Sequence, residues 1–303
     1  GEYARVEIDP EGKGVVRTGS LSSGQGHETV WSQLAATMLG VEPATVHVVA
    51  GDTALVARGT GTMASRSAQL GGSAVWRCSE SVREQILRLA ADHLEAAQED
   101  LVIAGGRISV AGSPDISLGF ADIVPLAAAQ EVELAAEEWY APGAQTFPYG
   151  VHAAVVEVSL ETGEVKIRKM VTVDDCGNVL NPMIVEGQIQ GSLVQGIGQA
   201  LYEGIVYSED GQPLTSTLVG YQLPRAGDIP PIVSGRLIFP APSNPLGVKG
   251  TGEAGCIGGP PAIVNAVLDA LRPYGVTHLD MPLHPQKVWA ALVRATPQNP
   301  KAS

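Results

Sequence analysis

The stretch YARVEIDPEGKGVVRTGSLSSGQGHETVWSQLAATMLG, residues 3–40, decides the fold. Ala4, Val6 and Ile8 alternate with Tyr3, Arg5 and Glu7, the period of a half-buried strand. Pro10-Glu11-Gly12-Lys13-Gly14 turns the chain, and residues 15–20 return as a second strand. Gly24-Gln25-Gly26 follows, and Val30, Trp31, Leu34, Ala35 and Met38 then recur at helical spacing up to Gly40. The same order comes again later in the chain. Residues 151–158 read as a strand, Glu161-Thr162-Gly163-Glu164 as a turn, and Val165, Ile167, Val171 and Val173 as an alternating strand. A loop over 178–182 then leads to a helix carrying Val185, Ile189, Leu193, Ile197 and Leu201. Gly24-Gln25-Gly26 in the first half is matched by Gly187-Gln188 in the second, which predicts an internal structural duplication. The expected architecture is α+β with mixed sheets and packed helices in two lobes, 1–140 and 141–303, whose loops converge on the cleft between them.

The remaining segments are read around this frame. Residues 46–49 form a strand, and the polar, Gly-rich stretch 59–73 has no period and is read as a loop. Val82, Ile86, Leu89, Ala90, Leu94 and Ala97 mark an amphipathic helix. Residues 111–150, with four prolines, are irregular, and 213–245 is Pro-rich. Pro260 and Pro261 are placed at the start of a last helix through Ile263, Val264, Val267 and Leu271.

Composition narrows the function. Apolar residues make up 45% of the 303, enough for a sizeable core, whereas aromatics are only 5%, so the core is aliphatic. Thirty-six glycines and 21 prolines imply many turns and backbone held close to something else. The net charge of −13 excludes nucleic acid and an anionic membrane as partners. No run reaches membrane-spanning length, so no membrane insertion is expected, and no signal peptide opens the chain. Cys78, Cys176 and Cys256 are too dispersed for an iron–sulfur cluster and are expected to be free thiols in a cytoplasmic protein. Gly1 stands where a natural start has Met, so a piece of a longer or processed chain is expected.

Three segments carry chemistry. Gly24-Gln25-Gly26, ahead of a helix, lets backbone approach a ligand, offers helix N–H groups to an anion and adds an amide able to donate and accept; taken alone, the tripeptide reads more readily as a tight turn. TMASRS, residues 62–67, supplies hydroxyls and Arg66 and suits a phosphate or pyrophosphate; it is equally a polar surface loop. In GVKGTGEAG, residues 247–255, four glycines and Lys249 surround Glu253. A carboxylate on a water-poor Gly-rich loop is a candidate general base with a shifted pKa, and its bland counterpart is a solvated surface turn. His27 is either a ligand contact or a histidine satisfied by backbone, and Asp174 and Asp175 are read as turn carboxylates.

Taken together, GQGHET at 24–29, the 61–67 loop, DDCG at 174–177, EGQ and QG at 186–191, and GVKGTGEAG occur in an order that resembles the molybdopterin-binding part of the xanthine dehydrogenase, aldehyde oxidase and carbon monoxide dehydrogenase family. Bacterial carbon monoxide dehydrogenase-like large subunits look most similar, over residues 3–290. The resemblance implies a two-lobed molybdenum-cofactor-binding domain and a molybdenum–molybdopterin cofactor in its cytosine dinucleotide form. The metal would be held by the pterin dithiolene, with no protein metal ligand. It implies cofactor contacts from Gly24, Gln25 and Gly26, from Ala64, Ser65, Arg66 and Ser67, from Gln188, and from Lys249, Gly250 and Gly252. Gln25 would lie near the molybdenum, and Glu253 matches the family's catalytic glutamate, which takes a proton during hydroxylation of an electron-poor carbon with water as oxygen source.

The same resemblance implies an oxidoreductase acting on a small molecule (an aldehyde, an aromatic heterocycle or carbon monoxide). Its partners would be the remaining cofactor-binding part of the large subunit, an iron–sulfur subunit and an FAD subunit, the clusters and flavin lying on those partners only. The chain departs from the family in lacking the other cofactor-binding part, with its Gly-rich Phe loop and substrate-pocket side chains. The chain alone is therefore expected to be inactive, with an exposed face open to self-association into a homo-oligomer. The competing reading is a non-catalytic scaffold or binding module that has kept the fold.

Overall fold

The computed structural model describes residues 1–56 and 58–295. These described residues divide into two compact units, the first within 1–147, 177–181 and 240–250, the second within 148–176, 182–239 and 251–295.

In the first unit, β1 (Glu2–Ile8) and β2 (Gly14–Thr18) form the predicted antiparallel hairpin. Helix α1 (His27–Leu39) follows, and β3 (Val46–Val49) pairs parallel to β2. A long helix, α2 (Ser67–Leu94), packs against β1 and α1. A three-stranded antiparallel sheet, β4 (Leu101–Ala104), β5 (Arg107–Val110) and β6 (Ser113–Gly119), leads to α3 (Phe120–Ala129). Then β7 (Ala135–Tyr140) adds to β1, giving the order β3-β2-β1-β7. Tyr3, Ala4, Val6, Val16, Trp31, Val75 and Ile86 are buried between sheet and helices.

The second unit repeats the plan. β8 (Tyr149–Val158) and β9 (Val165–Asp175) form an antiparallel hairpin, and α4 (Pro182–Leu201) follows. β10 (Ile232–Leu237) pairs parallel to β9, and α5 (Ala254–Leu271) packs on β8 and α4. A last helix, α6 (Pro285–Ala295), closes the unit. Each half therefore has a hairpin, a helix, a third strand parallel to the second, and a helix lying on the first strand. The strand orders are the same, β3-β2-β1 and β10-β9-β8.

Several elements differ from the sequence reading. Helix α2 starts at Ser67, inside the stretch read as a loop. Its opening turns pack through absent side chains, so hydrophobic periodicity does not register them: a Cβ on Gly72 would meet the Trp31 ring at 3.0 Å, and one on Gly71 would meet Ser20 Oγ at 2.8 Å. Helix α5 starts at Ala254, so Pro260 and Pro261 lie inside it and not at its start. Their place is compatible with packing because Gly196 of α4 leaves room for the Pro260 ring. The irregular stretch 111–150 contains β6, α3 and β7, and the Pro-rich stretch contains β10. The statement that no run reaches membrane-spanning length is also corrected: residues 254–274 are long and apolar enough to cross a membrane, at mean hydropathy 1.3. Here that helix lies against β8 and α4.

The core of the second unit is aliphatic, as composition requires. Ile167, Met170, Ile189, Leu193, Ile197, Ile263 and Val267 form one cluster. Ile197→Ala, at a fully buried position, should cost about 2–5 kcal/mol, read as a lower urea midpoint at unchanged slope.

Candidate functional site

Each unit carries its own group of candidate residues. In the first, Gly26 is the N-cap of α1 in the left-handed conformation at φ 74°, and Gly24 has φ 113° with open space around it. Both conformations favour glycine, so the turn holds bare backbone at the head of a helix. The Gln25 side-chain oxygen accepts from Ser23 N, which curls the amide over its own turn. His27 is buried, its Nδ1 lies 3.1 Å from Ser20 O, and its ring stands 5.0 Å from that of Trp31. Burial lowers its pKa. It is the backbone-satisfied histidine of the two readings above.

The 61–67 loop is strained. Ala64 and Ser65 are consecutive non-glycine residues at φ 51° and 50°, an arrangement that persists only where its surroundings enforce it. Those surroundings are visible. Thr62 Oγ1 donates to Leu21 O at 2.6 Å, tying the loop to the segment ahead of α1. The buried Glu2 carboxylate accepts from Thr60 N and Gly61 N, both at 3.1 Å. Gly250 lies so close that a Cβ there would sit 2.0 Å from Ser65 O. Arg66 does not point out as a free phosphate ligand: its guanidinium donates to Gly1 O and lies 3.9 Å from Glu2. Ser67 is buried at the start of α2, where the first-turn N–H groups lack helical partners.

Residues 244–250 are held by two asparagines that the sequence reading did not single out. Asn244 Nδ2 donates to Val248 O at 2.9 Å, and its Oδ1 accepts from Val248 N at 3.1 Å. Asn178 Nδ2 donates to Leu246 O at 2.8 Å, and Gly247 O accepts from Asn178 N. These bonds tie 177–181 to 240–250, and the bonds from Tyr140 Oη to Ser243 O at 3.2 Å and from Asn181 Nδ2 to Gln33 Oε1 at 3.1 Å join both segments to the rest of the first unit. Lys249 is half-buried and Gly250 buried. The first unit thus brings together the 61–67 loop and 249–250, while the Gly24–Gly26 turn is linked to them through Leu21 and Thr62.

In the second unit, Gln188 is half-buried on α4 beside Gly187 and Gly191, which have open space around them. Glu253 is the N-cap of α5 and its side chain is exposed. Among the described residues Glu253 is exposed, which is not the expected water-poor setting. The glycines around it serve packing: a Cβ on Gly255 would lie 2.3 Å from Ser192 Oγ, which accepts from Gly255 N at 3.0 Å. Ser192 is one helical turn from Gln188, so the same face of α4 carries Gln188 and supports the start of α5. Gly252 is exposed. Asp174 and Asp175 end β9 as buried residues and not as turn carboxylates; Asp175 accepts from Phe239 N at 3.0 Å. Among the described residues, no group of three His, Cys, Asp or Glu side chains gathers to hold a metal ion.

The donor set fits an anionic cofactor carried by its own organic scaffold. In the first unit it offers open glycine backbone, first-turn helix N–H groups and hydroxyls.

The fold has solved counterparts. Quinoline 2-oxidoreductase from Pseudomonas putida 86 superposes with a TM-score of 0.88 at 40% identity, over 96% of this chain and 38% of that one. A Cu,Mo-CO dehydrogenase does so with a TM-score of 0.87 at 31% identity, over 97% and 38%. In sequence, the nicotine 6-hydroxylase large subunit of Paenarthrobacter nicotinovorans is 37% identical over 97% of this chain and 37% of its own length. The carbon monoxide dehydrogenase large chain of Hydrogenophaga pseudoflava is 36% identical over 96% and 37%. Residues 1–230 match the molybdopterin cofactor-binding domain, and the chain belongs to that family. It spans about 37% of the length of these curated relatives.

Proposed function

We propose that this chain forms one part of the cofactor site of a molybdenum hydroxylase and contributes Glu253 as its catalytic base. The observation that carries the reading is the strained Ala64-Ser65 pair, pressed onto the backbone of Gly250 at the head of α2. Backbone strain kept in place by a buried carboxylate and a neighbouring loop is the mark of a ligand-binding segment. When bound, the molybdenum–molybdopterin group supplies a two-electron acceptor and acidifies the water that furnishes the product oxygen.

The chain's own residues do the rest. The N–H groups opening α1 and α2 bind phosphate and pterin oxygens, with Ser65 and Ser67 as hydroxyl donors. Gly24, Gly26 and Gly250 let the backbone approach, and Gln25 and Gln188 offer amides to the ring system. The cytosine dinucleotide form of the cofactor is carried over from the resemblance to bacterial members of the family. Arg66 acts indirectly, by fixing the loop through Glu2 and Gly1. Glu253 accepts the proton of the attacking water at a carboxylate oxygen.

An iron–sulfur subunit and an FAD subunit would receive the electrons. The remaining cofactor-binding part of the large subunit would cover Glu253 and the outer face of the β8–β10 sheet, where Val151, Val155, Val173, Val233 and Leu237 are exposed. The substrate would be a small electron-poor molecule such as an aldehyde or aromatic heterocycle.

Gln25→Ala and Arg66→Ala test the cofactor assignment. Each should lower pterin retention in the assembled enzyme by about 5- to 150-fold in affinity, the equivalent of about 1–3 kcal/mol, Gln25→Ala with the thermal midpoint little moved and Arg66→Ala with a lower one, because the buried Glu2 loses its cation. Unchanged pterin content in both variants would remove the mapped site.

A further inference from the structure

His152, Thr172 and Asp174 form a buried polar cluster that no step above uses. His152 on β8 pairs directly across from Thr172 on β9. His152 Nε2 lies 3.0 Å from Asp174 Oδ1 and 3.2 Å from Thr172 Oγ1, and Thr172 Oγ1 donates to Asp174 Oδ2. Thr172 and Asp174 are buried, and only 5% of the His152 side chain is exposed. His152 stands on the face of β8 whose next members, Ala154, Val156 and Val158, pack into the apolar core. Three polar side chains on that face are costly to bury, and their mutual bonds serve to fix the imidazole. His152 Nδ1 is itself buried without a hydrogen-bond partner, so the ring is oriented entirely from its Nε2 edge and by packing.

What rests on the ring is the start of α5. A Cβ on Gly258 would meet Cγ, Cδ2 and Nδ1 of His152, each at 2.9 Å. Near-equal distances to three ring atoms mean that the helix lies flat on the imidazole face. Gly255 is braced in the same way on Ser192 of α4. Gly255 and Gly258 are three residues apart and share one side of the helix. Two struts, one from α4 and one from β8, therefore fix the height and rotation of the turn that begins at Glu253. A leucine in place of His152 could change rotamer, and a phenylalanine would lose the ring's hydrogen bond to Asp174 Oδ1.

We propose that His152, locked by Asp174 and Thr172, is a positioning residue that sets the reach of Glu253 by bracing α5 at Gly258. The inference rests on Glu253 being the base. In the assembled holoenzyme, Gly258→Ala should lower kcat on the order of 10- to 100-fold with KM within about twofold, because a small displacement of a reacting group is enough. His152→Asn should lower kcat likewise and speed amide exchange over residues 254–259 by about tenfold or more, while the core amides of β9 stay protected. In Gly258→Ala/His152→Asn the added methyl occupies the space the ring has left. Both kcat and exchange should then recover above either single variant, a coupling that independent structural damage does not give.

If His152→Asn does not assemble, Asp174→Asn, which keeps the shape and weakens the ring's anchor, should give the same kcat loss at unchanged KM. Additive losses in the double variant, or unchanged exchange over 254–259 in either His152→Asn or Asp174→Asn, would overturn the proposal. The exchange result stands even if Glu253→Gln turns over normally, so failure of the strut and failure of the base are read separately.

Discussion

Glu253→Gln in the assembled enzyme is expected to cut turnover on the order of 100-fold or more while molybdenum content stays near that of the wild type. The substitution keeps volume and shape and removes only the ability to take a proton. Glu253 contributes to α5 through its backbone, whose carbonyl accepts from Ile257 N at 3.0 Å, and that bond is untouched. The start of the helix is held by Gly255 on Ser192, which is also untouched. The Glu253 side chain makes no cap hydrogen bond to α5, so a merely structural Glu253 predicts little change in turnover on this substitution. Rates and thermal midpoints of the two proteins therefore separate the roles. Near-normal turnover would remove Glu253 as the base and bring back the reading of the chain as a non-catalytic module that has kept the fold.

How far the sequence could be read depended on whether side chains or their absence did the packing. The two hairpins were legible because Ala4-Val6-Ile8 and Val165-Ile167 alternate, and α1 and α4 because Trp31, Leu34, Ile189 and Leu193 recur at helical spacing. The starts of α2 and α5 were not. Both lie against neighbours through glycine, at Gly71, Gly72, Gly255 and Gly258, and a missing side chain leaves no hydrophobic period. The glycines around Glu253 were read as a water-poor loop carrying a base, whereas Gly255 packs on Ser192.

Local motifs also concealed long-range partners. Arg66 looked like a free phosphate ligand because nothing in TMASRS points to Glu2, 64 residues earlier. Asn178 and Asn244 carry no signal beyond lying in polar loops, yet they hold the backbone of residues 246–248. The hydrogen-bonded His152–Asp174–Thr172 cluster needs the β8–β9 register before it can be seen at all.

The second large effect concerns what this chain does without its partners. Glu253 is exposed, the outer face of the β8–β10 sheet presents Val151 at 73% exposure, and the three cysteines are dispersed, two of them buried. A reactive oxidising centre needs a covered pocket and a path for two electrons, and among the described residues no group of three His, Cys, Asp or Glu side chains gathers to hold a metal ion. The chain spans about 37% of the length of the relatives it matches. Purified alone, it should be colourless, free of iron and flavin, nearly free of molybdenum and inactive, and its apolar sheet face should favour self-association.

The most direct measurement is elemental molybdenum together with a dye-reduction assay, made first on the chain alone and then on the chain assembled with the remaining large-subunit part and the electron-transfer subunits. A composite site predicts molybdenum near background and no turnover for the chain, and molybdenum approaching one per large subunit with steady turnover for the assembly. Stoichiometric molybdenum and steady turnover from the chain by itself, or an assembly that never takes up molybdenum, would contradict it.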